Sequence, residues 1–300
     1  MIAGRRHLEN FNPASCPLRK RFTVLSLAIA LAANCAAVSA QNPAPQTTAQ
    51  KETLRDTIRD RLFSPAAPVV IPTLQAPPPS YVFPTKQTLS YVVDWRVFTA
   101  AVASFQIEQQ GTVQKITASA DSIGAVTMLF PVIDRFQSGF DTKTGCSTGF
   151  SKQTQEGRRK ISSDLTYKDG KQTLVERNLV KGTSKTLTAS IPACVQDTLS
   201  SIFYVGSQPL TVGQDFRFPL ADSMRTVTVT MKPEAKEEIK TPAGTFQTIR
   251  VQPTADEGVV KSRGKIWIWY TDDARHMPVQ VRASLFWGTI TAKLQSYETK

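Results

Sequence analysis

The feature that most constrains this chain is an alternation of apolar and polar residues within short segments. In Arg225–Met231 threonines separate the apolar side chains, and Ile161–Tyr167 alternates with nearly the same period of two. Such a period places successive side chains on opposite faces of a β-strand, one dry and one wet. Similar segments, separated by turn residues such as Gly111 and Asp169-Gly170, continue from residue 85 to the C-terminus. The pattern predicts an antiparallel, all-β domain.

The lengths of these segments predict many short strands and few helices. Thr88 to Gln109 is too long for one average strand, so we expect two strands with a bend at Thr99–Ala101. Two short segments favour helix, Ser122–Leu129 and Val195–Tyr204, and neither can form a βαβ crossover. Further strands are expected at about 113–120, 134–141, 147–155, 172–180, 185–191, 246–252, 265–271, 278–286 and 288–297.

We therefore expect a large antiparallel curved sheet that forms a partial or complete barrel, with short helices over an opening or edge. Closure of the sheet hides strand edges that otherwise pair with other chains. A β-sandwich is the alternative, because periodicity alone does not distinguish one curved sheet from two packed sheets.

The N-terminal region has the pattern of an export signal. Basic Arg19–Arg21 precede the apolar segment Phe22–Ala33, and Val38–Ala40 resembles a cleavage site. The apolar segment is shorter than the ~20 residues that a membrane-spanning helix needs. We therefore expect a signal peptide at residues 1–40, no permanent membrane span after cleavage, and export to the periplasm. Secretion to the medium or lipid anchoring through Cys35 are the alternatives, although Asn34 before that cysteine disfavours lipidation.

Residues 41–84 are rich in proline, which is incompatible with a continuous helix or sheet. We interpret them as a disordered linker, with a short amphipathic segment at Lys51–Phe63. The remaining residues, 85–300, are expected to form a single antiparallel β domain, a size that suits one core.

Two cysteines, Cys146 and Cys194, remain after the predicted cleavage. An oxidising compartment favours their pairing in a disulfide, and two buried free thiols are the alternative. His276 is the only histidine left beyond the predicted signal, so the chain lacks the ligand set of a zinc site and no metal or other cofactor is expected.

The chain is basic, with 36 Lys and Arg against 24 Asp and Glu. Without residues 1–40 the balance is 31 minus 23, or +8. Apart from short clusters such as Arg158–Lys160, the basic residues are scattered, which favours a solvated surface over a polyanion-binding one and predicts no nucleic-acid binding.

Several stretches stand out by their order and spacing: Leu89–Trp95, Asp134–Ser138, Asp197–Tyr204, Pro209–Gly213, Thr241–Phe246 and Ile268–Asp273, the last of which runs on to Met277–Val279. Together they resemble the domain of unknown function 3108 family of exported bacterial proteins. The resemblance covers about residues 85–297. It implies an envelope protein of β architecture, and it implies no catalytic residues because the activity of the family is unknown.

Candidates for catalysis are few. His276 lies in a predicted loop after Asp272 and Asp273, and no Gly-x-Ser-x-Gly motif accompanies it. Adjacent acidic residues at the end of a strand are more often turn formers than paired catalytic carboxylates. We therefore expect no enzymatic activity. A hydrolase acting on envelope glycans or lipids is the third functional hypothesis.

The predicted strand at 265–271 is apolar on both faces. One face can pack in the core while the other contacts a lipid or other apolar ligand. The aromatic candidates for that contact are Trp95, Trp267, Trp269, Phe286 and Trp287. A central strand covered by helices is the alternative interpretation. Arg135 is a candidate for an anionic head group, with an ion pair as the alternative.

The leading functional hypothesis is a non-enzymatic envelope protein whose curved sheet binds an apolar or amphipathic ligand or an envelope partner. The second is a structural or scaffolding protein that contacts cell-wall polymer or other envelope proteins through its basic face and proline-rich linker.

Overall fold

The structure, a computed structural model, describes residues 71–300 except 223, 256, 259, 260, 262, 263, 286 and 287. The predicted signal peptide and residues 41–70 of the predicted linker lie outside the described residues. The strands are β1 (Lys86–Trp95), β2 (Phe98–Gln110), β3 (Val113–Ser122), β4 (Val132–Asp141), β5 (Ser147–Glu156), β6 (Arg159–Lys168), β7 (Lys171–Asn178), β8 (Thr183–Ser190), β9 (Phe216–Asp222), β10 (Arg225–Thr241), β11 (Gly244–Ala255), β12 (Lys265–Thr271), β13 (Pro278–Leu285) and β14 (Gly288–Thr299). Two short helices accompany them, α1 (Gly124–Leu129) and α2 (Ser200–Ser207).

All 14 strands belong to one antiparallel sheet, in the order β8-β7-β6-β5-β4-β3-β2-β1-β14-β13-β12-β11-β10-β9. The first and last strands pair at its centre, where Val93 lies opposite Ala292. The sheet is strongly curved but not closed by a β8–β9 pairing, so it is a partial barrel. The predicted fold class is confirmed, and the single sheet rules out the sandwich alternative.

The chain between β8 and β9 spans the gap between the two ends of the sheet. Cys194 forms a disulfide with Cys146, and the Ser147 N–H donates to the Val195 carbonyl at 2.8 Å. On the other side, the Gln196 N–H donates to the Pro219 carbonyl at 2.9 Å. These contacts tie β5 to β9 and place α2 inside the curve of the sheet.

The alternation in the sequence places apolar side chains on the inward face of the sheet, as expected, in both halves of the sheet. In the first half, Leu89, Ile107, Ile116 and Phe136 are almost completely buried. In the second half, Tyr204 of α2 packs among the side chains of β9–β12, for example Phe218, with ring centroids 5.3 Å apart. The side chains of α2 thus fill part of the interior that the inward-facing side chains of the sheet leave open.

Two local features differ from the sequence-based expectation. The turn between β1 and β2 falls at Arg96-Val97, where Arg96 takes the left-handed conformation with φ of 57°, whereas Thr99–Ala101 lies within β2 at an irregularity in its pairing with β1. Strand β9 and the second half of β10 were not predicted, since Pro219 and Pro233 interrupt their patterns. The structure accommodates Pro219 on an edge strand and Pro233 at a bulge.

Residues 71–84, which the sequence places in the linker, lie against one end of the barrel. Leu74 is buried, the Tyr204 hydroxyl donates to the Gln75 carbonyl at 2.8 Å, and Phe83 packs edge-on against Phe140. No helix among the described residues has the length and apolar character needed to cross a membrane.

Candidate ligand-binding cavity

An apolar cavity of about 120 Å³ lies between α2 and the inward face of the sheet. Its walls come from β1, β2 and β9–β14, and Ile202 and Val205 of α2 cover it. No Asp, Glu, Lys, Arg or His belongs to the lining among the described residues. For scale, an apolar cavity of roughly 150 Å³ stays dry and accepts a benzene-sized ligand. The chemistry of the site therefore suits a small apolar group or a segment of a longer chain.

Small side chains at inward positions leave this space open. Ala103 of β2, Ala283 of β13 and Ala292 of β14 all line the cavity, opposite the larger Ile202 of α2. Ala283 pairs with Ile290, and Ala292 pairs with Val281, so small and large residues alternate across neighbouring strands. Larger residues at the alanine positions would close the space.

Two tyrosines in the cavity wall use their hydroxyls to fix the surrounding elements. The Tyr270 hydroxyl donates to the Ile202 carbonyl at 2.8 Å, and the Tyr91 hydroxyl donates to the Pro278 carbonyl at 2.6 Å. Burial raises the pKa of both tyrosines well above the ordinary value. Both therefore remain neutral and present their rings, and not a charge, to the cavity.

A second cavity of about 390 Å³ lies beneath residues 80–85, and Pro278 borders both cavities. Its wall is more polar and includes Gln87, Gln114 and Arg275. The second cavity is also mostly apolar, with side chains such as Ile107, Phe203 and Met277, but unlike the first it includes charged and amide side chains.

Helix α2 is held over the cavity by a buried carboxylate, Asp197. This side chain accepts hydrogen bonds from the hydroxyls of Ser138 at 2.6 Å, Ser147 at 2.5 Å and Ser200 at 2.7 Å. It also accepts from the backbone N–H groups of Leu199 at 2.8 Å and Ser200 at 3.0 Å. A buried charge needs such partners to offset its lost hydration. Sequence reasoning had not given Asp197 a role, although both it and Ser138 lie in segments that carry the family resemblance.

Most of the predicted ligand-contacting residues lie away from this cavity. Ile266, Ile268 and Tyr270 of β12 line it, so Trp267 and Trp269 lie on the opposite face of the strand. The Trp269 indole N–H donates to Glu237 at 2.6 Å, and the Arg282 guanidinium lies 5.4 Å from its ring centre.

The other candidates are also dispersed. Trp267 borders a polar groove on the outer face, beside Arg282. Trp95 pairs with Ile290, next to the cavity wall. Arg135 is exposed and forms an ion pair with Asp121 at 2.8 Å. Phe286 and Trp287 lie outside the described residues. Contact of these side chains with a ligand stays a prediction.

The candidate catalytic residues are engaged in loop contacts. His276 Nδ1 lies 2.9 Å from the Gly206 carbonyl oxygen, Asp272 pairs with Lys236 at 2.7 Å, and Asp273 pairs with Arg275 at 2.5 Å. Within the part of the chain that the structure describes, no cluster of three or more His, Cys, Asp or Glu side chains could hold a metal ion.

Over the described residues, the chain is an antiparallel β protein in which one curved sheet forms a partial barrel around a short helix. The family model for proteins of unknown function called DUF3108 matches residues 90–295, so the chain belongs to that family. No curated protein sequence matches this chain.

Three solved structures are similar to this chain at low sequence identity. The first is a β-barrel-like protein of the domain of unknown function DUF1849 from Brucella abortus, with a TM-score of 0.48, 9% identity, and coverage of 73% of this chain and 99% of that one. The second is a candidate exported protein with a YmcC-like fold from Bacteroides fragilis, with a TM-score of 0.33, 9% identity, and coverage of 73% and 99%. The third is a candidate lipoprotein from Parabacteroides distasonis, with a TM-score of 0.29, 12% identity, and coverage of 73% and 98%.

Proposed function

We propose that this protein is a non-enzymatic exported envelope protein, acting in the periplasm, that binds an apolar or amphipathic ligand inside its curved sheet. The observation that carries the proposal is the interior cavity, whose lining among the described residues contains no charged side chain. Ligand sites are typically concave and mostly apolar, with a few polar groups that fix orientation.

The neighbouring compartment supports the amphipathic form of this ligand. The few polar side chains of its mostly apolar wall, among them Gln87 and Arg275, suit a head group whose apolar part enters the first cavity past Pro278. The Cys146–Cys194 disulfide fits an oxidising compartment, in agreement with the predicted export signal.

The test compares two single substitutions on the same strand. Ala103→Leu extends into the cavity, whereas Val102→Leu adds a methylene on the outer face of β2, where Val102 is 37% exposed. Both proteins and the wild type are purified from the envelope of the producing cells and weighed by native mass spectrometry. They are then titrated with the apolar fluorophore N-phenyl-1-naphthylamine.

We expect the wild type and Val102→Leu to retain a small co-purifying mass and to bind the fluorophore. Ala103→Leu is expected to lose both while unfolding at a similar urea concentration, because a larger side chain occupies space that is empty in the wild type. Equal retention by the two variants would contradict an interior site. A wild-type protein that carries no ligand and does not bind the fluorophore would favour the scaffolding hypothesis.

A further inference from the structure

The exposed apolar side chains are concentrated at one end of the barrel. Among the described residues, seven large apolar side chains are more than half exposed. Six of these lie in turns, at a strand end or in helix α1, all at the end of the barrel where β1 leads into β2, and the seventh, Val82, lies at the opposite end. The six are Val97, Phe98, Met128, Leu129, Leu179 and Val180, with exposed fractions from 57% to 87%. A soluble domain needs an explanation for such a concentration.

The turns that carry these side chains form one continuous surface. The Ile123 N–H donates to the Ala100 carbonyl at 3.0 Å, and the Gly157 N–H donates to the Pro131 carbonyl at 2.8 Å. The Leu179 N–H then donates to the Lys160 carbonyl at 2.9 Å. Residues 96–100, 123–131, 157–160 and 178–182 are therefore neighbours, and we call them the apolar-basic rim.

The rim carries positive charge only. Its four segments contain Arg96, Arg158, Arg159, Lys160 and Lys181, all exposed, and no Asp or Glu. Three carboxylates lie on adjoining strand ends. Asp121 is 2.8 Å from Arg135, Asp94 is 3.1 Å from Lys293, and Glu156 lies opposite Arg159 in the pairing of β5 with β6.

We propose that the apolar-basic rim docks the protein onto an anionic lipid surface. The apolar tips of Phe98, Met128 and Leu129 enter between the head groups, while Arg158 and Lys160 contact the phosphates. Interfacial anchors combine these two features, since apolar burial and attraction to anionic lipid both strengthen binding. Protein–protein interfaces are depleted of lysine, whereas Lys160 and Lys181 of the rim stand next to its exposed apolar side chains. The charge and the alternation of apolar and basic turns therefore favour a membrane as the occupant.

The test is co-sedimentation of the purified full-length protein with lipid vesicles. One set contains phosphatidylcholine with a quarter phosphatidylglycerol, and the other contains phosphatidylcholine alone. We expect preferential binding to the anionic vesicles. We also expect strong weakening near 1 M salt, where the screening length falls to about 3 Å.

Two variants separate the apolar and the basic contributions. Phe98→Ser with Met128→Ser and Leu129→Ser is expected to lower the partition coefficient about tenfold or more, because the variant loses apolar surface that would enter the membrane. These side chains are 69–87% exposed, so we expect the folded domain to keep its stability. Arg158→Gln with Lys160→Gln should lower binding to anionic vesicles selectively.

Matched controls lie at the opposite end of the barrel. Val82→Ser removes an apolar side chain that is 84% exposed, and Lys168→Gln with Lys171→Gln removes two exposed charges from the β6–β7 turn. Both controls should bind vesicles like the wild type. Every variant has the same N-terminal segment, so any contribution of that segment cancels.

Equal binding by the rim variants and the controls, or no binding by the wild type, would overturn the proposal. A dimer in solution that the apolar rim variant dissociates would also overturn it, by assigning the rim to a second copy of the chain. The proposal does not rest on the proposed function, because a protein with an empty cavity can still dock and a ligand-binding protein can still fail to dock.

Discussion

Replacing Asp134 by asparagine should stabilise the protein at neutral and alkaline pH and have little effect in acid. Asp134 lies on the inward face of β4, and its side chain is completely buried. Burial, followed by the charge of Glu156, raises the pKa of Asp134 to about 7 from 3.8. Its hydrogen bond from the Gln155 N–H, at 3.2 Å, opposes this rise.

The size of the effect follows from the linkage between proton binding and folding. The folded state binds this proton more tightly than the unfolded chain does. Stability from this group is therefore fully present below about pH 4 and is lost as pH rises to about 7. At about 1.36 kcal/mol for each pKa unit, a rise of about three units costs roughly 4 kcal/mol at pH 8. Relaxation of the strands around the ionised carboxylate reduces this, so we expect Asp134→Asn to gain about 2–4 kcal/mol there.

Urea unfolding of both proteins at several values between pH 4 and pH 8 measures this difference. The asparagine oxygen can still accept from Gln155, so the variant keeps the local hydrogen bond. Asp164→Asn, which removes an exposed carboxylate paired with Arg177 at 2.7 Å, controls for the loss of one negative charge. A stability difference between Asp134→Asn and wild type that does not change with pH would refute the reasoning.

Three further variants test the contacts around α2. Cys146→Ser with Cys194→Ser should lower the free energy of unfolding by about 4 kcal/mol, because the disulfide closes a loop of 48 residues. Urea unfolding measures this difference. A wild-type protein whose unfolding in urea is unchanged by reductant would contradict the prediction. Asp197→Asn should cost about 2–4 kcal/mol, since it removes acceptor capacity from buried serine hydroxyls; unchanged urea unfolding would show that the asparagine satisfies them. Gly206→Ala should lower the melting temperature, because the added Cβ would lie 2.9 Å from the His276 carbonyl oxygen, although helix propensity alone predicts a gain of about 1 kcal/mol; a higher melting temperature would show that the loop moves without cost.

The fold was largely predictable because each strand carries its own signal. The period of two in Ile161–Tyr167 and Arg225–Met231 reappears as β6 and the first part of β10. The family match to residues 90–295 confirms the resemblance. The disulfide between Cys146 and Cys194 is present in the structure, as two cysteines in an exported chain would suggest.

The site was less predictable, because its signals are not local. Both faces of β12 are apolar, and only the pairing of whole strands decides that Ile268 faces the cavity and Trp267 does not. The space itself depends on Ala103 and Ala292, which are distant in sequence and unremarkable alone. Asp197 also shows no local pattern, since its partners Ser138 and Ser147 come from other strands.

The order of strands has a consequence for how the chain becomes a folded domain as it emerges during synthesis. Strand β1 pairs with β14, which is the last strand in the sequence, and the Thr85 N–H donates to the Lys300 carbonyl at 3.1 Å. All other neighbouring strands in the sheet follow one another along the chain, so each half can assemble as it emerges. The seam between the halves closes only when the last strand arrives. Until then one side of β1 is an unpaired edge, which is the kind of surface that recruits other chains. The domain therefore depends on protection of that edge between the emergence of its first strand and its last.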